Sequence, residues 1–128
     1  GRRRAEVAAA RAELDASLAV YRQAFLEALG EAETALVAIT AYRARAGSLS
    51  EAIEQSETAL GQSNALYREG LASLFDVLDA QRQLISSRES LLDNEAALAN
   101  AFIALHSAAA SPDGEAVAAS AGGAPPPQ

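Results

Sequence analysis

Side chains that do chemistry are sparse in this sequence. His106 is the single histidine and no cysteine occurs, which excludes a disulfide framework, thiolate metal sites and a multi-histidine metal centre. Glu51, Glu54 and Glu57 recur every three residues, the spacing of a solvated helix face or of a polar lining. No nucleophile–base pair, phosphate-binding loop or clustered ligand set is visible, so the sequence predicts no enzyme, no cofactor and no metal. The densest polar cluster runs from Tyr67 through Arg68 and Glu69 to Asp76, Asp79 and Arg82. Within it Asp79 and Arg82 stand three apart, the spacing of a weak ion pair on a helix surface. A net charge of −7, with Arg2-Arg3-Arg4 as the only basic run, argues against nucleic acid as a partner.

The elements that must position this cluster are helices. Of 128 residues 33 are alanine, all ten basic residues are arginine, and only three Phe and three Tyr exist to fill a thick core, so a compact globule is not expected. Helix formers dominate from Arg4 to Glu69 without a proline, which predicts one helix over about 4–69; at about 1.5 Å per residue it would span roughly 100 Å. A seven-residue frame beginning at Leu18 gives first positions Leu18, Phe25, Ala32, Ile39, Ala46, Ile53, Leu60 and Tyr67. The fourth positions are Tyr21, Ala28, Ala35, Tyr42, Leu49, Ser56 and Ser63. The frame passes Gly47-Ser48, the likeliest place for a bend, without slipping. Leu29 and Leu36 lie outside this seam and imply a second buried face, hence two neighbours.

Gly70 can take the left-handed conformation that stops a helix, and Ser73 with Asp76 three residues later reads as the start of the next. A turn over 70–73 this short folds the chain into an antiparallel hairpin. The second helix is predicted over about 74–109, with apolar doublets seven apart: Val77 and Leu78, Leu84 and Ile85, Leu91 and Leu92, Leu98 and Ala99. That stripe is too wide for a two-stranded seam. His106 lies near its end, where a cation interacts favourably with the helix dipole. Residues 111–128 shift to Ala, Gly, Ser and Pro and read as a disordered tail. The expected fold is all-α: a long antiparallel coiled-coil hairpin over 1–110, then the tail. No run of about 20 apolar residues crosses a bilayer as a helix.

Tyr67-Arg68-Glu69-Gly70 followed by Asp76-Val77-Leu78-Asp79-Ala80-Gln81-Arg82 resembles the periplasmic hairpin tip of TolC-like outer-membrane efflux proteins. Tyr21-Arg22-Gln23, Ala28-Leu29 and Glu31-Ala32-Glu33-Thr34-Ala35-Leu36 are similar to the opening of that family's long second-repeat helix. Ala101-Phe102-Ile103-Ala104-Leu105 resembles the segment before its usual C-terminus, and Gly1 to Ala5 resembles the residues after its last β-strand.

The resemblance, which covers about 1–109, implies a trimeric outer-membrane channel of Gram-negative bacteria that works with a periplasmic adaptor and an inner-membrane pump. This chain would be a C-terminal fragment supplying part of the periplasmic α-barrel. The resemblance further implies an aperture gate at Tyr67, Asp79 and Arg82, and an adaptor-contacting tip at Gly70 and Leu71. Leu66 and Ala72 depart from relatives that carry arginine there, leaving Arg68 as the cation able to substitute. Two other readings of the heptads stay open: the coiled-coil hairpin of a periplasmic adaptor, and a structural coiled-coil scaffold. Adaptor hairpins have nearly equal arms flanked by β-segments, whereas these arms are unequal.

Overall fold

The computed structural model describes residues 1–110 and contains two α-helices, α1 over Arg2–Arg68 and α2 over Leu74–Ala110. No strand occurs among the described residues. The all-α coiled-coil hairpin expected from the heptads is the fold observed; the tail expected over 111–128 lies outside the described residues. α1 is helical straight through Gly30, Gly47 and Gly61, and a Cβ at any of the three would meet nothing within 4 Å. Each therefore weakens the helix through backbone entropy alone, by about 1 kcal/mol relative to alanine.

The described residues divide into two compact units, Val37–Phe102 and a second made of Gly1–Leu36 with Ile103–Ala110. In the Val37–Phe102 unit the withdrawn α1 residues include Ile39, Tyr42, Ala46, Leu49, Ile53, Ser56, Leu60 and Ser63, alternating three and four apart. On α2 the row is Val77, Ala80, Leu84, Ser87, Leu91, Asn94, Leu98 and Ala101, again three and four apart. Both are heptad seams, and in α2 every bulky first position is followed by a small or polar fourth position. That alternation lets two helices approach closely while Val77, Ile39 and Leu84 are buried, each worth about 1.5–3 kcal/mol.

Three directed contacts tie the arms of this unit together. Asn94 Nδ2 donates to the Tyr42 backbone carbonyl at 2.9 Å, the Arg88 guanidinium meets Glu57 at 3.1 Å, and Arg43 Cζ lies 5.4 Å from the centre of the Phe102 ring. The Arg88–Glu57 pair is half exposed on both sides, so solvent screens it. Arg88→Ala should lower thermal stability by no more than about 0.5 kcal/mol, measured by circular dichroism; a loss several times larger would mean the pair is shielded by something beyond this hairpin.

In the unit containing Gly1–Leu36, the withdrawn positions are Ala24, Phe25, Ala28, Ala32 and Ala35 on α1, with Leu105 and Ala108 on α2. Residues 1–23 are exposed throughout, so Leu18 and Tyr21 keep the frame without burying anything. Two expectations of width change. Leu29 and Leu36 are exposed, and of each α2 doublet only the first member enters the seam while Leu78, Ile85 and Leu92 remain exposed. One partner helix covers one stripe, and the second stripe is left facing outward.

Candidate functional site

The polar cluster singled out above sits at the hairpin end, and local chemistry builds it. Gly70 has φ +74°, the only positive φ among the described residues. Its N–H donates to the Tyr67 carbonyl at 3.0 Å, and the Leu71 N–H reaches back to the Leu66 carbonyl at 2.8 Å. This pair of bonds is the Schellman arrangement, which satisfies carbonyls that a helix end otherwise orphans. α2 then opens on a reciprocal capping box. The Ser73 N–H donates to Asp76 Oδ2 at 3.1 Å, and the Asp76 N–H donates to Ser73 Oγ at 3.3 Å. Asp76 thus has a complete structural role, helped by its negative charge at the positive end of the helix.

Around this turn the surface is apolar. Leu71 is 72% exposed and Phe75 77%, with Leu66, Tyr67 and Leu74 also exposed beside them. Leu71 is legible as a tip residue from the sequence, while Phe75 is not; its signal is a large aromatic at the second position of a helix, ahead of the heptad seam. A group of bulky side chains standing in water at a hairpin end marks a candidate contact surface.

The residues assigned to an aperture gate are all at the surface. Tyr67 lies in the last turn of α1 and Asp79 and Arg82 on the first turns of α2. Asp79 Oδ1 and Arg82 Nη1 are 3.9 Å apart in an ion pair within one helix, with both side chains at least three-quarters exposed. No hydrogen bond or ion pair joins Tyr67 to either of them among the described residues. The hairpin therefore brings the three to one end without locking them to each other. Glu51 and Glu54 are exposed, and Glu57 engages Arg88. Among the described residues no group of His, Asp and Glu could hold a metal ion, and no helix is long and apolar enough to cross a membrane.

One residue that inspection of apolar spacing passes over is Asn94. It is 4% exposed, at a seam position, and its Oδ1 is a buried polar atom without a hydrogen-bond partner. The signal was present in the frame itself, as a polar residue at the fourth position counted from Leu91.

The family profile of outer membrane efflux proteins matches residues 1–111. Nodulation protein T of Rhizobium leguminosarum bv. viciae is 37% identical over 91 residues, covering 71% of this chain and 19% of that protein. The solvent efflux pump outer membrane protein of Pseudomonas putida is 29% identical over 108 residues, covering 84% of this chain and 23% of that protein. A toluene efflux pump outer membrane protein, also of Pseudomonas putida, matches to the same extent. The chain spans about a fifth of the length of these curated relatives. No solved structure matches it.

Proposed function

Because the chain belongs to the outer membrane efflux protein family, which sets it at the outer membrane and periplasm of a Gram-negative envelope, we propose that it builds wall and tip of a trimeric export channel. The single observation that carries the wall is the outward row on α2. Leu78, Ile85 and Leu92 recur every seven residues beside a seam already filled by α1. A helix in a closed barrel wall has a neighbour on each side, so it needs two apolar stripes; a helix in a free hairpin needs one. Alanine-rich seams fit the same architecture, because small residues set closely spaced helices.

Transport of this kind needs no covalent step. The hairpin end would narrow the channel, with Tyr67, Asp79 and Arg82 forming the resting aperture, and Gly70 and Leu71 would receive the tip of a periplasmic adaptor linked to an inner-membrane pump. The exposure of all five residues supports that reading, since a gate and a docking tip must be reached by groups outside the hairpin. Two relatives are named for solvent and toluene efflux, and small organic molecules are the cargo class this suggests.

The test uses the complete protein. Asp79→Ala should raise single-channel conductance in planar bilayers several-fold and leave trimer assembly intact, because it removes the charge that holds Arg82 and any facing cation near the axis. Unchanged conductance together with unchanged solvent sensitivity of cells would remove Asp79 from the gate. Failure of the complete protein to form any channel would sink the whole reading.

A further inference from the structure

The first turns of α1 reverse the charge of the molecule. Residues 1–11 hold Arg2, Arg3, Arg4 and Arg11 against Glu6, a net +3, while the remaining 117 residues carry −10 of the total −7. No ion pair to Arg2, Arg3, Arg4 or Arg11 exists among the described residues. The charge is therefore unpaired within the described residues.

Its arrangement on the helix is specific. At about 100° per residue, Arg3, Arg4 and Arg11 fall within one arc of roughly 100° together with Val7, Leu14 and Leu18. Those are all the bulky aliphatic residues of the first eighteen, and each is exposed. Arg3, Arg4, Val7, Ala8 and Arg11 also line one shallow depression. Cations interleaved with aliphatic side chains on a single exposed stripe suit a boundary where phosphate lies beside hydrocarbon. Val7 and Leu14 continue the fourth positions of the seam frame and Leu18 its first, yet all three are exposed; a free phosphate would use the arginines alone, and a purely apolar partner helix would leave the arginines unpaired.

We propose that the stripe Arg3–Arg4–Val7–Arg11 is a docking surface for anionic phospholipid headgroups of the membrane in which the protein resides. The guanidinium groups bind the phosphates and the aliphatic row enters the headgroup boundary. The site is separate from the export reading: it concerns where the chain meets lipid, and it would hold whatever the cargo.

The test is flotation of the 128-residue chain with vesicles of phosphatidylethanolamine, with and without phosphatidylglycerol. The chain should bind the phosphatidylglycerol vesicles, and added salt should release it. Arg4→Gln/Arg11→Gln should weaken that binding roughly 25-fold. The charge-matched Arg45→Gln/Arg88→Gln variant should bind within about twofold of wild type, since two cations off the stripe contribute little within a Debye length of the surface. Circular dichroism of both variants checks that helix content is kept. Equal loss in the two variants would reduce the effect to net charge and overturn the assignment. So would unchanged vesicle binding of Arg4→Gln/Arg11→Gln accompanied by a changed oligomeric state in sedimentation, which would give the stripe to a second copy of the chain.

Discussion

Asn94→Asp is expected to lower the unfolding midpoint of the chain by on the order of 15 °C. The native side chain is 4% exposed and makes one hydrogen bond, from Nδ2 to the Tyr42 carbonyl at 2.9 Å. Aspartate offers no N–H to that carbonyl and brings a charge into a dry seam. Leaving such a charge uncompensated costs about 3 kcal/mol or more. Asn94→Leu is the informative control. It deletes the donor and also the orphaned Oδ1, while the Tyr42 carbonyl keeps its place in the α1 ladder, so its effect should stay within about 1 kcal/mol of zero. Thermal melts followed by circular dichroism separate the cases, and an aspartate tolerated as well as leucine would show that water reaches the seam at residue 94.

A polar residue held at such cost invites a reason. In heptad seams a single buried asparagine fixes which layers face each other, at the expense of stability. Here the turn over 70–73 already limits register near the hairpin end, and Asn94 lies 24 residues beyond Gly70, where that constraint has faded. Tying the two arms at that distance keeps Val77, Leu84 and Leu91 opposite their partners along the Val37–Phe102 unit.

How far the sequence alone could reach is decided by what kind of physics sets each feature. The turn was legible because its causes are local: a glycine with positive φ and a serine–aspartate pair three apart specify their own geometry. The heptad frame was legible from Phe25 to Ser63, since period seven survives any choice of partner. Its reach was not, because counting apolar residues cannot say where a partner stops; Leu18 and Tyr21 obey the frame yet stay exposed. The α2 doublets failed for a related reason. Apolar width says how many neighbours a helix could take, and one hairpin supplies one. Asn94 escaped notice because a search for apolar periodicity skips a polar residue in an apolar row. A gate role for Tyr67, Asp79 and Arg82 is a property of groups outside the hairpin, so neither spacing nor the exposed geometry fixes what they do.

Gly70→Val should be the most damaging change at the tip, and the reason is backbone conformation alone. A Cβ at residue 70 would meet nothing within 4 Å, so no clash is involved. With φ at +74°, an L-residue crowds its own carbonyl, at a cost of about 1–2 kcal/mol, and β-branching adds to it. That strain opposes the two Schellman bonds, from Gly70 to Tyr67 and from Leu71 to Leu66, and a turn that relaxes it moves Leu71 and Phe75. In the complete protein, solvent tolerance should fall in the order Gly, Asn, Ala, Val at this position, because asparagine enters the left-handed region most readily among side-chain-bearing residues. Leu71→Ala keeps the turn and removes only the exposed side chain. If docking depends on the turn's shape, Gly70→Ala should harm export more than Leu71→Ala does; if it depends on the leucine, the order reverses. Export indifferent to both would take the adaptor away from this tip and leave Gly70 as a helix stop.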